Sequence, residues 1–216
     1  MDPKNFIAKR IAALFHPGDI INLGTGLPDL VSNYVETGVW LMTDNGLLGA
    51  GEVAEPNYLR PNSFCNASGL EVLPVMGACT FDMATSFGMM RTGRVDASVL
   101  GCLEVASNGD LANWALPGHR HGMGGAMDIV NGVKSVIIAT LHCAKDGSPK
   151  IVSECTLPLT GRGVVDAIVT EYAFFSIENG EMTLREIADT ITLDELKKIT
   201  GAPFTVADDL KPMVVA

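Results

Sequence analysis

The run Ser135 to Cys143 (SVIIATLHC) limits the possible folds most. It is almost continuously apolar and rich in β-branched residues, and it lacks the polar alternation of a strand with one wet face. Such a run reads as a strand buried within a sheet. Shorter runs of similar character occur at Ile20–Leu23 and Val39–Met42. In the first half of the chain these strands alternate with amphipathic stretches. Residues 3–16 put Ile7, Ile11, Leu14 and Phe15 on one helical face and end at His16-Pro17-Gly18-Asp19. The pattern predicts an α/β fold with an open, largely parallel sheet flanked by helices. No repeat or composition shift divides the chain, so residues 1–216 are expected to form a single domain.

Further along, helices are expected over Asp29–Val35, Phe81–Met90, Ala126–Asn131, Thr183–Thr190 and Leu193–Ile199, the last with a Thr192/Glu195 capping box. Strands are expected over Leu70–Met76, Val95–Val105, Ile151–Cys155 and Ala167–Ile177. A hairpin turn is expected at Glu178–Glu181, and the tail beyond Ala202 reads as extended. Glu55–Asn62 is a loop rich in Pro and Asn.

Composition narrows the function. The net charge of −10 argues against a nucleic-acid partner. No apolar run approaches the ~18 residues of a membrane span, and the N-terminus lacks signal-peptide character. Five scattered cysteines without CxxC or Cys/His spacing suggest neither a disulfide framework nor a metal site, so the expected compartment is the cytoplasm. With 47% hydrophobic and 19% charged residues, the chain is expected to cover part of its surface with a partner.

Three segments carry candidate chemistry. Thr43-Asp44-Asn45-Gly46 follows a buried strand and is followed by glycines at 49 and 51. It reads either as a hairpin turn with a solvated Asp44 or as a carboxylate at a strand's carboxyl end, where α/β sheets bind ligands. Asn22-Leu23-Gly24-Thr25-Gly26-Leu27-Pro28 is strand, glycine turn and helix start. That arrangement suits an anion, but tight helix–strand packing explains it equally well. Gly122-Met123-Gly124-Gly125-Ala126 opens a helix with backbone N–H groups free to hold a negative oxygen. His119, Arg120 and His121 precede it as a small basic cluster. Solvation accounts for them, with contact to nucleotide phosphates as the alternative.

Four stretches carry a family resemblance: Asn22–Pro28, Gly109–Trp114, Gly122–Asp128 and Cys155–Gly161. Over essentially its whole length the chain resembles the B subunit of family I CoA-transferases, the 3-oxoacid and butyrate–acetoacetate type. The resemblance implies an A-subunit partner, usually in an α2β2 assembly. It also implies covalent, ping-pong transfer of CoA between an acyl-CoA and a short-chain carboxylic acid, with CoA entering as substrate and no bound cofactor or metal. Asp44 matches the nucleophilic glutamate of the family, one methylene shorter. Gly125 and Ala126 match part of an oxyanion hole, with Asn22 nearby. Gly24, Gly26, Asn45, Gly46 and Gly124 match residues that shape the substrate pocket. Two further departures are Glu52, where proline is usual, and Asn66–Gly69, where many members carry a lysine. The shorter acid leaves two alternatives: an acyl-CoA hydrolase with Asp44 as general base, or a non-catalytic acyl-CoA-binding subunit.

Overall fold

The computed structural model describes residues 1–54, 63–120 and 122–215. The expected loop at 55–62 and His121 of the basic cluster lie outside the described residues. Helix α1 (Pro3–Ala12) is capped by the Asp2 carboxylate, which accepts from the Asn5 N–H. There follow β1 (Ile20–Leu23), a 3-10 turn (Pro28–Asn33), β2 (Trp40–Thr43), β3 (Leu47–Val53), β4 (Phe64–Cys65), β5 (Glu71–Thr80), α2 (Met83–Arg91) and β6 (Ala97–Leu100). The middle of the chain has β7 (Glu104–Ala106), β8 (Leu111–Ala112), β9 (Ala115–Leu116), β10 (His119–Arg120), α3 (Ala126–Gly132), β11 (Val136–Ala139) and β12 (Ile151–Val152). The last part holds β13 (Ala167–Val169), β14 (Ala173–Glu178), β15 (Glu181–Ile187), α4 (Leu193–Ile199) and β16 (Thr205–Pro212).

Among the described residues, eleven strands form one mixed sheet in the order β16-β15-β14-β13-β11-β6-β1-β2-β3-β5-β4. Its centre, β13-β11-β6-β1-β2, is parallel throughout. Antiparallel hairpins extend it on both sides. Alternate residues of β11 enter different cores: Val136 and Ile138 pack with Met90, Ile129, Val130 and Leu196, whereas Ile137 and Ala139 pack with Ile7, Ile11 and Val31. Successive strand side chains point to opposite faces. Helices α2, α3 and α4 therefore cover one face of the sheet, and α1 with the 3-10 turn covers the other. Burial on both faces is why this strand carries almost no polar residue.

Four expected elements differ. The helix at Asp29 is the 3-10 turn beginning at Pro28. The strand expected over Val95–Val105 breaks after Leu100, and β7 joins a separate small sheet with β8 and β12. Ala167–Ile177 is two antiparallel strands, turned by the Thr170 hydroxyl, which accepts from the Tyr172 and Ala173 N–H groups at 3.2 and 3.1 Å. The helix expected at Thr183–Thr190 is largely strand β15. Asn179 and Gly180, with φ of 54° and 77°, make the tight turn that lays β15 along β14. Met182 and Leu184 then point into the core with period two.

Candidate active site

The parallel centre has a topological switch. From β1 the chain moves to β2 on one side, and β6 is added on the other. In open α/β sheets the crevice beyond the carboxyl ends at such a point is where ligands bind. A cleft of about 350 Å³ lies there. Leu23, Gly24 and Thr25 line it from the end of β1, Asp44 from the end of β2, and Leu100 to Leu103 from the end of β6. Gly124, Gly125 and Ala126 close it from the start of α3, with Asn22, Asn113 and Ala67 also on its wall.

Asp44 is presented by a locked turn. The Thr43 hydroxyl accepts from the Leu47 N–H at 3.1 Å and donates to the Asn45 side-chain oxygen. The Asn45 amide donates in turn to the Cys65 carbonyl at 3.1 Å. Gly46 has φ of 107°, and a Cβ there would lie 2.0 Å from the Phe81 carbonyl oxygen. Only glycine fits both the backbone angle and that approach. Asn45 and Gly46 therefore build the turn from outside the cleft wall, leaving the half-buried Asp44 carboxylate at its edge.

Gly125 faces this carboxylate. A Cβ built on it would lie 3.6 Å from Asp44 Oδ2 and 2.4 Å from Phe87 Cζ. Gly125 is also the N-cap of α3 and brings no side-chain cap. The Asp128 N–H already donates to the Gly125 carbonyl at 3.1 Å, whereas the N–H groups of Ala126 and Met127, ahead of it in the first turn, have no intrahelical acceptor. An exposed Arg91–Asp128 ion pair at 2.8 Å bridges α3 and α2 at the surface.

Asn22 lines the cleft, but its amide also ties strands together. It donates to the Met42 carbonyl at 3.2 Å and accepts from the Ser98 hydroxyl at 2.8 Å. Gly24 allows a close pass, since a Cβ would meet Leu100 Cδ2 at 3.0 Å. Gly26 lies outside the cleft wall, and its N–H donates to Asp29 Oδ2 at 3.0 Å. From sequence, Ala67 is reached only within the Asn66–Gly69 departure, and Phe87, Gly101 and Asn113 are not placed at the site. A glycine at 101, directly after an apolar strand, was the available signal for the β6 end. Asn113 holds that end by donating to the Gly101 carbonyl at 3.3 Å.

Cys102, also on the cleft wall, has its thiol pushed up to about 11 by burial. It is thus a neutral group on the cleft wall and a poor competing nucleophile. A wider depression of about 920 Å³, bounded by Trp114–Gly118 and Thr156–Pro158, has no ionisable side chain in its lining among the described residues. Among the described residues, no helix is long and apolar enough to cross a membrane.

The sequence profile of the family described as Coenzyme A transferase matches residues 4–198. The acetate CoA-transferase subunit beta of Escherichia coli (strain K12) is 47% identical, over 97% of this chain and 97% of its own length. A Homo sapiens mitochondrial protein, succinyl-CoA:3-ketoacid coenzyme A transferase 2, is 41% identical over 98% of this chain, which spans 42% of that longer protein. Among solved structures, the apoenzyme of an acyl-CoA transferase (YdiF) from Escherichia coli O157:H7 has a TM-score of 0.79 at 19% identity. It matches 99% of this chain, which spans 43% of the YdiF chain. At that identity the likeness shows the shared fold.

Proposed function

Because the chain belongs to the coenzyme A transferase family, we propose that it is the subunit supplying the reacting carboxylate. It moves CoA between an acyl-CoA and a short-chain 3-oxo or fatty acid. One Asp44 oxygen attacks the thioester carbonyl, the C–S bond breaks, and CoA leaves as thiolate from an acyl-aspartyl anhydride. The thiolate then attacks the Asp44 carbonyl carbon, which releases the acyl group as a free carboxylate and leaves CoA as a thioester on Asp44. The incoming acid runs the same two steps in reverse. Each tetrahedral intermediate places an oxyanion beside Asp44, where Gly125 and Ala126 at the start of α3 would supply N–H donors. Gly124 gives this segment its approach, with φ of 55°.

The observation that carries the reading is the meeting of the Asp44 carboxylate and Gly125 across a cleft at the carboxyl ends of β1, β2 and β6. The partner in this reading is a complementary A subunit, in an α2β2 assembly. Its support is twofold. Relatives carry the name subunit beta, and strand β5 with the start of α2 exposes Leu73, Val75, Met83 and Met76, the last 99% exposed. Met and other large apolar residues are enriched in interface cores.

The test is mass spectrometry of the chain after incubation with acyl-CoA and the A subunit. The expected product is CoA attached as a thioester at Asp44, and its absence from Asp44→Asn. Thioester loss to water without any covalent adduct would overturn the nucleophilic role and make Asp44 a general base.

A further inference from the structure

We propose that Asp29 is a positioning residue that clamps the Asn66–Gly69 turn onto the glycine turn after β1, so that the Ala67 methyl limits the size of the acyl group the cleft admits. The assignment of acyl-CoA to this cleft rests on the function proposed above. The clamp itself is read from the hydrogen bonds.

Two sequence-distant turns form one side of the cleft. Gly24 and Thr25 come from the first, and Ala67 from the second. Asp29 is the group that touches both. Its Oδ2 accepts the Gly26 N–H at 3.0 Å and also the Ser68 hydroxyl. Its Oδ1 accepts from the Asn66 amide at 3.4 Å. Asn66 is buried, and its own side-chain oxygen accepts the N–H groups of Ser68 and Leu70, each at 3.0 Å. Ala67 is therefore flanked by two residues that end on the same carboxylate. On the far side, Asn45 holds the neighbouring Cys65 carbonyl. The turn is thus fixed both to the glycine turn and to the segment that presents Asp44.

A cleft of about 350 Å³ is at the small end of ligand pockets, which run roughly 300–1,000 Å³. It fits the reacting end of an acyl-CoA rather than the nucleotide. A wall residue as small as alanine then bears on the acyl chain. One methylene in an apolar pocket changes discrimination by about 10- to 200-fold, so a small displacement of Ala67 is enough to change which acids are accepted.

The experiment compares acetyl-, butyryl- and hexanoyl-CoA with the assembled enzyme, reading both kcat/KM and acyl-CoA affinity. Asp29→Ala is expected to raise the hexanoyl-to-acetyl ratio by about tenfold, the scale of one lost hydrogen bond to a charged group. Ala67→Val is expected to lower it by a similar factor. Asp29→Asn alone sets two amide N–H2 groups against each other. Combining it with Asn66→Asp restores one donor and one acceptor at unchanged charge, and should restore the parental ratio. If Asp29→Ala does not assemble, Ser68→Ala removes a single exposed donor and should shift the ratio in the same direction. An unchanged ratio in these variants overturns the clamp. So does a swap variant with parental Tm that keeps the altered ratio. A parent enzyme without CoA transfer would defeat the proposed function, while acyl-CoA affinity would still decide on the clamp.

Discussion

Gly125→Ala is the most direct perturbation of the site. Its added carbon would sit 2.4 Å from Phe87 Cζ and 2.8 Å from Cε1. Carbon atoms in contact settle at about 3.5–4.0 Å, so about 1 Å of movement must be found. Helices α2 and α3 cannot easily separate to provide it. Arg91 and Asp128 pair across them, and a Cβ on Gly132 would lie 2.8 Å from the Met90 carbonyl carbon. The start of α3 and the Phe87 ring must therefore share the shift. A misplacement of about 1 Å borne wholly by the N–H donors would cost about 100-fold in rate, or about 2.7 kcal/mol of transition-state stabilisation, and sharing with the Phe87 ring makes that the upper end. The methyl itself would be in ordinary contact with Asp44 Oδ2 at 3.6 Å, so the loss is expected to arise from displaced N–H donors. Steady-state kinetics of the assembled enzyme should show kcat lowered by about 10- to 100-fold with a much smaller change in KM for acyl-CoA. Adding Phe87→Leu removes the clashing atoms and should recover part of kcat, a coupling that a double-mutant cycle measures. Unchanged kcat in Gly125→Ala, or a loss that Phe87→Leu does not relieve, would refute the reasoning.

Asp44→Glu should raise acid-dependent CoA transfer and lower water-dependent thioester loss, as measured by product analysis. Activity retained in Asp44→Asn would take the chemistry away from this carboxylate; Glu52, the other acid of the same segment, is exposed on β3 and off the cleft wall. Gly46→Ala should lower stability by more than about 2 kcal/mol in denaturant unfolding, because the positive φ and the Phe81 carbonyl both oppose a side chain; a near-neutral effect would mean the turn adapts. His142 is fully buried between the Thr170 and Thr200 hydroxyls, and burial lowers its pKa from 6.5 to about 4. As pH falls through 6.5 the unfolded chain takes up this proton and the folded chain does not. Stability should therefore decline between pH 6.5 and 4, by up to roughly 3 kcal/mol. His142→Gln should remove that part of the pH slope, and an unaltered slope would place it elsewhere.

The sequence alone determined what depends on local chemistry. An apolar β-branched run has to be a buried strand, and strands of that kind alternating with helices make an α/β sheet. Gly46 in the turn at 44–46 and Gly122 and Gly124 before α3 were legible because few other residues tolerate their positive φ. Strand β15 was misread because Met182-Thr183-Leu184 has no decisive period over so short a length. Pairing with β14 and β16 determined its conformation. The break after Leu100 was likewise set by what each half pairs with, since β6 lies between β1 and β11 while β7 joins β8.

The cleft itself was decided only by the tertiary structure. Ala67, Gly101 and Asn113 line it because of where sequence-distant segments cross, and Phe87 backs Gly125 from behind the wall. Asn45, Gly46 and Gly26, singled out by sequence, instead support its walls from behind. A residue's type fixes the hydrogen bonds and backbone angles it can adopt. Which neighbour uses them depends on contacts between residues far apart in sequence. Asp29 and Ser68, joined across the cleft side, are an instance no local pattern encodes.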